Sequence, residues 1–209
     1  MNMKKIISFF IVACCAMCAT AAKVVWQIGV ADNSGTELAL GPSEYKKFLA
    51  HDFGYEDRYF LVGTSVDKND FPYVLPGPDD TWGGTWSTSG WRTHDANILF
   101  GIKKLPKHGK WKLVVDLVDA NPSRSVVKVM VNSAEKKFEI KGHSKGVLEG
   151  NLQDAKEQIL EFPISADDLK KGGNMVTVSV LEGGWIVFDQ IRLEGADELV
   201  LEKNNEYAF

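Results

Sequence analysis

Cysteine is missing from most of this chain. All three cysteines, Cys14, Cys15 and Cys18, fall within the first 22 residues. From residue 23 onward the sequence therefore excludes a disulfide, a thiolate nucleophile and a cysteine-ligated metal. A domain without such cross-links has to be stabilised by its own apolar core.

Clusters of basic residues are also missing. The 24 lysines and arginines are outnumbered by 28 aspartates and glutamates, and the formal net charge of the 209 residues is −4. Neutralisation of a phosphate backbone needs concentrated Lys and Arg, so this composition argues against a nucleic-acid partner. The same acidic balance makes neutral sugars easier to accommodate than polyuronates.

The chain lacks the short motifs of common enzyme classes. It has no H-E-x-x-H zinc motif, no G-x-S-x-G turn and no phosphate-binding loop. A glycosidase needs two carboxylates that face each other across a cleft. The group Asp52, Glu56 and Asp57 and the pair Asp79-Asp80 are candidates, yet acidic loop residues are mostly solvated surface. We predict that the protein is not an enzyme; a small glycoside hydrolase or polysaccharide lyase with an unrecognised site is the alternative.

The first 22 residues have the order of an export signal. Lys4-Lys5 form a basic start, residues 6–12 are apolar, and residues 19–22 are small. The segment is too short, and has the wrong flanks, for a membrane-spanning helix. We predict a periplasmic or secreted protein with no membrane span. The alternative is a lipoprotein, because Ile11–Cys14 resembles a lipidation box whose cysteine would carry the anchor.

Apolar residues recur with a period of two through most of the chain. Clear examples are residues 111–118, 127–132 and 176–181. Further strand candidates are Lys23–Gly29, Tyr59–Gly63, Asn97–Ile102, Lys137–Lys141 and Gln158–Ile164. Many short strands separated by turn signals indicate a sandwich or a barrel. Gly183-Gly184 predicts a tight hairpin that leads into a strand over Trp185–Leu193.

Helical signals are few. Pro42–Leu49 has the pattern of a two-turn helix, and Ser165–Leu169 that of a single turn capped by Asp168. Two long stretches, 67–93 and 141–154, are rich in turn residues and are predicted to be loops.

Three phrases in the chain resemble a known family. Val25–Gly29, Asn69–Val74 and Gly183–Glu194 occur in the order seen in the C-terminal carbohydrate-binding-like domain of rhamnogalacturonan lyases, polysaccharide lyase family four. The resemblance implies a jelly-roll β-sandwich of the galactose-binding-like type over residues 23–197. The polar residues that follow predict a solvated tail over 198–209.

The resemblance also carries an expectation about function. Lyases of this family cut pectin with a separate, larger N-terminal domain that has no counterpart in this chain. The part that matches implies non-catalytic binding of a poly- or oligosaccharide, with plant or pectic glycans as the expected ligands. A structural or assembly subunit whose jelly roll binds protein is the remaining alternative.

The segment from Asp79 to Asp95 concentrates three of the six tryptophans in a loop rich in Gly, Ser and Thr. A flat indole stacks on the C–H face of a sugar ring, and polar side chains bind the hydroxyl rim. The predicted carbohydrate-binding residues are Trp82, Trp86, Trp91, Arg92, His94 and Asp95. The alternative is that these tryptophans fill the end of the core. Trp26, Trp111 and Trp185 lie in alternating strands and are predicted to be core.

Asp189 is a candidate metal ligand. Its strand, Val187–Leu193, is similar to the last strand of calcium-bearing jelly-roll modules, in which an aspartate helps to hold a structural Ca²⁺. By this resemblance Glu37 or Asp32 would supply a partner oxygen, since a hard cation binds several oxygens at once. The alternative is that Asp189 caps a turn or pairs with Arg192.

Overall fold

The computed structural model describes residues 22–55, 57–84 and 93–202. The strands within these ranges are β1 (Lys23–Gly29), β2 (Tyr59–Leu61), β3 (Val74–Leu75), β4 (Asp95–Lys104), β5 (Lys110–Ala120), β6 (Arg124–Val131), β7 (Ala134–Lys141), β8 (Gln158–Ser165), β9 (Gly172–Glu182), β10 (Ile186–Gly195) and β11 (Val200–Leu201). Every strand predicted from the period-two pattern is present.

The strands form two sheets. The first sheet has the order β1-β10-β5-β8, with β3 also paired to β10, and the second has the order β11-β4-β9-β6-β7, with β2 paired to β4. The pairings are antiparallel except for the parallel pair β2 and β4. The protein is therefore a β-sandwich of the jelly-roll type, as predicted.

Helical structure in the described ranges is limited to short turns. They are α1 (Asp67–Asp70) and the 3-10 helices Tyr45–Lys47, Leu49–His51, Thr81–Gly83, Lys145–Glu149 and Ala166–Asp168. The predicted two-turn helix over 42–49 is thus replaced by two 3-10 turns. The predicted cap is confirmed, because the Asp168 carboxylate accepts hydrogen bonds from Ser165 N and Oγ at 2.8 and 2.7 Å. None of the helices in this part of the chain has the length and apolar character that a membrane crossing needs.

The core lies between the two sheets. Alternate residues of β5 and β9 point into it, and Trp26 of the first sheet meets Phe100 of the second at a centroid distance of 5.4 Å. Trp26, Trp111 and Trp185 are each no more than 5% exposed, so their prediction as core residues is confirmed. Burial of such large apolar side chains is the main stabilising term available to a domain without cysteine.

The predicted hairpin at Gly183-Gly184 is wrong. β9 belongs to the second sheet and β10 to the first, so this connection crosses from one sheet to the other. Gly183 has a φ of +80°, and a Cβ at this position would lie 2.2 Å from the carbonyl oxygen of Arg124. Glycine is therefore needed at the crossing. The period-two pattern showed that both segments are strands, but it does not encode which sheet each one joins.

Asp119, fully buried near the end of β5, anchors the long loop after β7. Its Oδ1 accepts hydrogen bonds from the backbone N–H of Ala120 and His143, at 2.8 and 2.9 Å. Its Oδ2 accepts from the N–H of Ser144 and Lys156, at 2.9 and 3.3 Å. A buried carboxylate is tolerated when it is hydrogen-bonded in this way. The Asp119 side chain is thus one of the contacts that hold the stretch predicted as a long loop to the sandwich.

The predicted solvated tail over 198–209 begins with a strand instead. Val200 and Leu201 form β11, which pairs with β4, and Glu202 N donates to Gly101 O at 2.8 Å. Both β11 residues are half-buried, and Leu201 packs against the core. Residues 203–209 lie outside the described ranges.

Candidate functional site

Three of the six predicted sugar-binding residues, Trp86, Trp91 and Arg92, lie outside the described residues. Trp82 lies in the 3-10 helix Thr81–Gly83 and is half-buried. Its ring makes T-shaped contacts with Tyr45 and Phe48, at centroid distances of 5.0 and 6.1 Å. These contacts place Trp82 in an aromatic cluster beside the core, which is the alternative that the sequence left open.

His94 and Asp95 are also engaged within the fold. His94 is 3% exposed, its Nδ1 lies 3.1 Å from the carbonyl oxygen of Gly54, and its Nε2 is hydrogen-bonded to the carbonyl oxygen of Gly83. The Asp95 carboxylate accepts a hydrogen bond from Ser179 Oγ across the β4–β9 pair. Their role in sugar binding stays a prediction, and the contacts that the structure shows for them are internal.

Asp189 lies at an irregularity in β10, where the pairing with β5 shifts register. It is 1% exposed, and its Oδ1 accepts hydrogen bonds from the backbone N–H of Asp32 and Ser34 at 3.3 and 3.0 Å. The side chain thereby joins β10 to the segment that follows β1. Of the two sequence alternatives, the capping role agrees with these hydrogen bonds from the bend after β1. Pairing with Arg192 is not what the structure shows, because that guanidinium lies 3.6 Å from Asp116 Oδ2 instead.

The structure brings the three predicted metal ligands together. Asp32, Glu37 and Asp189 each offer a carboxylate oxygen, and these oxygens all lie within 4.8 Å of one another. Two oxygens that each bind a Ca²⁺ at about 2.4 Å lie no more than about 4.8 Å apart, so this spacing fits the ion. Glu37 Oε1 also accepts a hydrogen bond from Val30 N at 2.7 Å, which holds the segment in place.

The electrostatics of Asp189 follow from its surroundings. Burial raises the pKa of its carboxyl to about 6, and the nearby carboxylates of Asp116 and Asp32 add to the increase. The N–H groups of Asp32 and Ser34 oppose it, because they stabilise the ionised form. A divalent cation would oppose it much more strongly, since it attracts every carboxylate of the group.

A second carboxylate group shares Asp189 and was missed from the sequence. Oxygens of Asp116, Glu157 and Asp189 also lie within 4.8 Å of one another. Asp116 is 3% exposed, and among the described residues its Oδ1 has no hydrogen-bond partner. Burial, and then the charge of Glu157, raise its pKa. The alternation of β5 places Asp116 on the outer face of the sheet, where the sequence pattern predicts solvent rather than burial.

An open depression of about 510 Å³ lies beside β2 at the edge of the second sheet. We call it the tyrosine depression, and its lining residues are Asp52, Tyr55, Asp57, Arg58, Tyr59 and Asp70. Tyr55 and Tyr59 are 52% and 41% exposed. Sequence reasoning treated Asp52 and Asp57 as solvated surface. The available signal was the pair of tyrosines on either side of this acidic stretch, since tyrosine, with an apolar ring and a polar hydroxyl, is enriched at interfaces.

A family model identifies the class of this sandwich. The CBM-like domain III of polysaccharide lyase family 4 matches residues 24–193, a span that includes β2 to β9 and most of β1 and β10. The chain therefore belongs to this family of carbohydrate-binding-like domains, and the resemblance seen in the sequence is confirmed. A search of curated proteins finds no match.

Solved structures with a similar arrangement include carbohydrate-binding modules and large glycosidases. A family 35 carbohydrate-binding module from an environmental isolate is 16% identical with a TM-score of 0.35, over 54% of this chain and 71% of the module. The CBM35 from Cellvibrio japonicus Abf62 is 12% identical with a TM-score of 0.35, over 53% and 70%. The family GH115 4-O-methyl-α-glucuronidase BtGH115A is 19% identical with a TM-score of 0.35, over 51% of this chain and only 14% of the enzyme.

Proposed function

We propose that this protein is a non-catalytic carbohydrate-binding protein. The observation that carries the proposal is the family match, which spans residues 24–193 and is to the carbohydrate-binding-like domain III. The sandwich that contains this span has a single core between its two sheets. The proposal therefore concerns the whole described domain rather than one loop.

The proposal extends to location and ligand. The basic start, apolar run and small residues over positions 1–22 support export to the periplasm or the exterior. The likeness to pectin-degrading lyases supports plant or pectic glycans as ligands. The net charge of −4 supports neutral sugars over polyuronates, because like charges repel at the encounter.

A structural calcium ion is part of the same proposal. Asp32, Glu37 and Asp189 would hold it, and their oxygen spacing fits the coordination distance of Ca²⁺. The ion would link the segment after β1, which contains Asp32, to β10, which contains Asp189. These two residues lie far apart in the sequence but meet in the fold. The ion would neutralise the charge of a buried carboxylate, which is otherwise costly to bury.

Affinity electrophoresis against arabinan, galactan, arabinogalactan, xyloglucan and polygalacturonate tests the function, with an assay for new reducing ends and unsaturated products on the same panel. We expect retardation by at least one neutral polysaccharide and no product. Product formation would contradict the non-catalytic proposal and support the enzyme alternative. If the protein is not retarded and no product forms, that result would contradict carbohydrate binding and would support the assembly role.

A further inference from the structure

We propose that this module binds carbohydrate in the tyrosine depression, and that the depression accepts a neutral, hydroxyl-rich sugar residue. This inference rests on the proposed carbohydrate-binding function and adds the place and the chemical class of the ligand. Four features of the depression support it: a fixed guanidinium, two exposed aromatic rings, an excess of carboxylates, and a rigid frame.

Arg58 is held in place before any ligand arrives. Its guanidinium lies over the ring of Phe53, 4.5 Å from the ring centroid. Nη2 donates to the carbonyl oxygen of Asn69 at 3.4 Å and lies 3.6 Å from Asp70 Oδ1. Asp70 is itself fixed, because its Oδ2 accepts a hydrogen bond from Val66 N at 2.8 Å. A donor that is already ordered loses less side-chain entropy on binding than a free one.

Tyr55 and Tyr59 are exposed where other tyrosines of the sandwich are packed. Tyr73 is fully buried and donates to Leu148 O, and Tyr45 packs against Trp82. Within residues 22–55, 57–84 and 93–202, neither Tyr55 nor Tyr59 has a hydrogen bond from its hydroxyl or a contact between rings. Each therefore keeps a ring face for the C–H face of a sugar and a hydroxyl for its rim.

The charges of the depression select against acidic sugars. Three carboxylates, from Asp52, Asp57 and Asp70, line it together with one guanidinium. The excess of negative charge repels the carboxylate of a uronic acid. The hydroxyl groups of a neutral sugar, by contrast, donate hydrogen bonds to carboxylates and accept them from Arg58.

The frame of the depression is regular structure and tight turns. Tyr59 lies on β2, which pairs in parallel with β4 at Asn97. Tyr55 lies in a turn closed by two backbone hydrogen bonds, from Tyr55 N to Asp52 O at 3.3 Å and from Arg58 N to Tyr55 O at 3.1 Å. The two rings are thus placed by backbone pairing rather than by contacts with each other, which favours a preorganised site.

The test measures binding of Tyr55→Ala and Tyr59→Ala to the polysaccharide panel named above, by affinity electrophoresis and then by titration calorimetry with a neutral oligosaccharide of the best-bound polymer. We expect each variant to bind at least about tenfold more weakly than the unchanged protein, which corresponds to ~1.4 kcal/mol. Melting temperatures should stay the same, because both side chains are exposed. Tyr59→Phe, which keeps the ring, should lose less than Tyr59→Ala.

Two variants serve as controls. Ile159→Ala removes a side chain of 50% exposure from the first sheet, away from the depression, and should bind normally. Trp82→Ala probes the site predicted from the sequence, and binding per folded molecule should persist in it.

The outcomes separate the two proposals. If the unchanged protein binds and both tyrosine variants bind equally well, or if polygalacturonate is the best-bound polymer, the inference fails while carbohydrate binding stands. If the unchanged protein binds none of the panel, the proposed function itself fails.

Discussion

Asp119 and Asp189 are both buried aspartates of the first sheet, yet their surroundings differ. Asp119 is at the end of β5 and Asp189 lies in the neighbouring strand β10, and neither is more than 1% exposed. Asp119 accepts four backbone N–H groups, two on each oxygen. Asp189 accepts two such hydrogen bonds, both on Oδ1. Carboxylate oxygens of Asp32 and Glu37, and those of Asp116 and Glu157, lie within 4.8 Å of its own.

The comparison shows that donors, rather than burial, decide what a buried carboxylate does. Four N–H groups satisfy both carboxylate oxygens of Asp119, so this residue acts as a fixed anchor for a loop. Asp189 has only two such donors and also has acidic neighbours, so its negative charge is only partly compensated. A cation is the partner that would complete its environment.

The largest effect is expected from Asp119→Ala. The substitution leaves four backbone N–H groups of the loop and strand without their acceptor, and we expect the free energy of unfolding to fall by about 3–5 kcal/mol. Urea denaturation measures it, and hydrogen exchange should show loss of protection at His143 and Ser144. Asp154→Ala, an exposed aspartate in the same loop, is the matched control and should change stability by less than about 0.5 kcal/mol. A loss below about 1 kcal/mol for Asp119→Ala would break the comparison.

Calcium should act on Asp189 and not on Asp119. Free Ca²⁺ at about a hundred times its dissociation constant is expected to stabilise the fold by ~2.7 kcal/mol, because it binds only the native state. Thermal unfolding with chelator and with added Ca²⁺ measures this response. Asp189→Ala should remove it, whereas Asp119→Asn should retain it even if its melting temperature is lower. Superimposable melting curves with and without chelator would exclude the metal.

The pH dependence of stability at Asp80 tests, with a smaller expected effect, whether backbone donors compensate a buried carboxylate. Asp80 is 7% exposed, and burial raises its pKa to about 6 despite a hydrogen bond from Gly77 N at 2.8 Å. The folded chain therefore binds this proton more tightly than the unfolded chain, whose carboxyl has the ordinary pKa of 3.8. Its contribution to stability is complete below about pH 4 and is lost as the pH rises through about 6, by at most ~1.4 kcal/mol per pH unit.

Asp80→Asn tests that slope. Because the asparagine does not titrate, the difference in unfolding free energy between the variant and the unchanged protein should move in favour of the variant from pH 4 to pH 6. Urea denaturation at several pH values in the presence of chelator measures it. A difference that stays constant with pH would show that the pKa of Asp80 is the same in the folded and the unfolded chain, which would contradict this prediction.

Much of the fold follows from local pattern. Alternation of apolar residues predicted the main strands and the three core tryptophans, because a strand places successive side chains on opposite faces. The grouping of Asp32 and Glu37 with Asp189 came from the resemblance to a family, not from spacing. It joins residues that alternation alone does not relate, yet the structure brings their oxygens within 4.8 Å.

What the sequence by itself determined is which residues are strands, which faces are apolar, and which family the sandwich resembles. Only the tertiary structure decided that the chain crosses between sheets at Gly183, that the charged residues Asp116 and Asp119 are buried, and that Tyr55 and Tyr59 line one depression. The physical reason is the distance along the chain over which each property is set. Alternation depends on neighbours two residues apart, whereas burial of a carboxylate and exposure of a tyrosine depend on which distant backbone donors and side chains the topology brings to them.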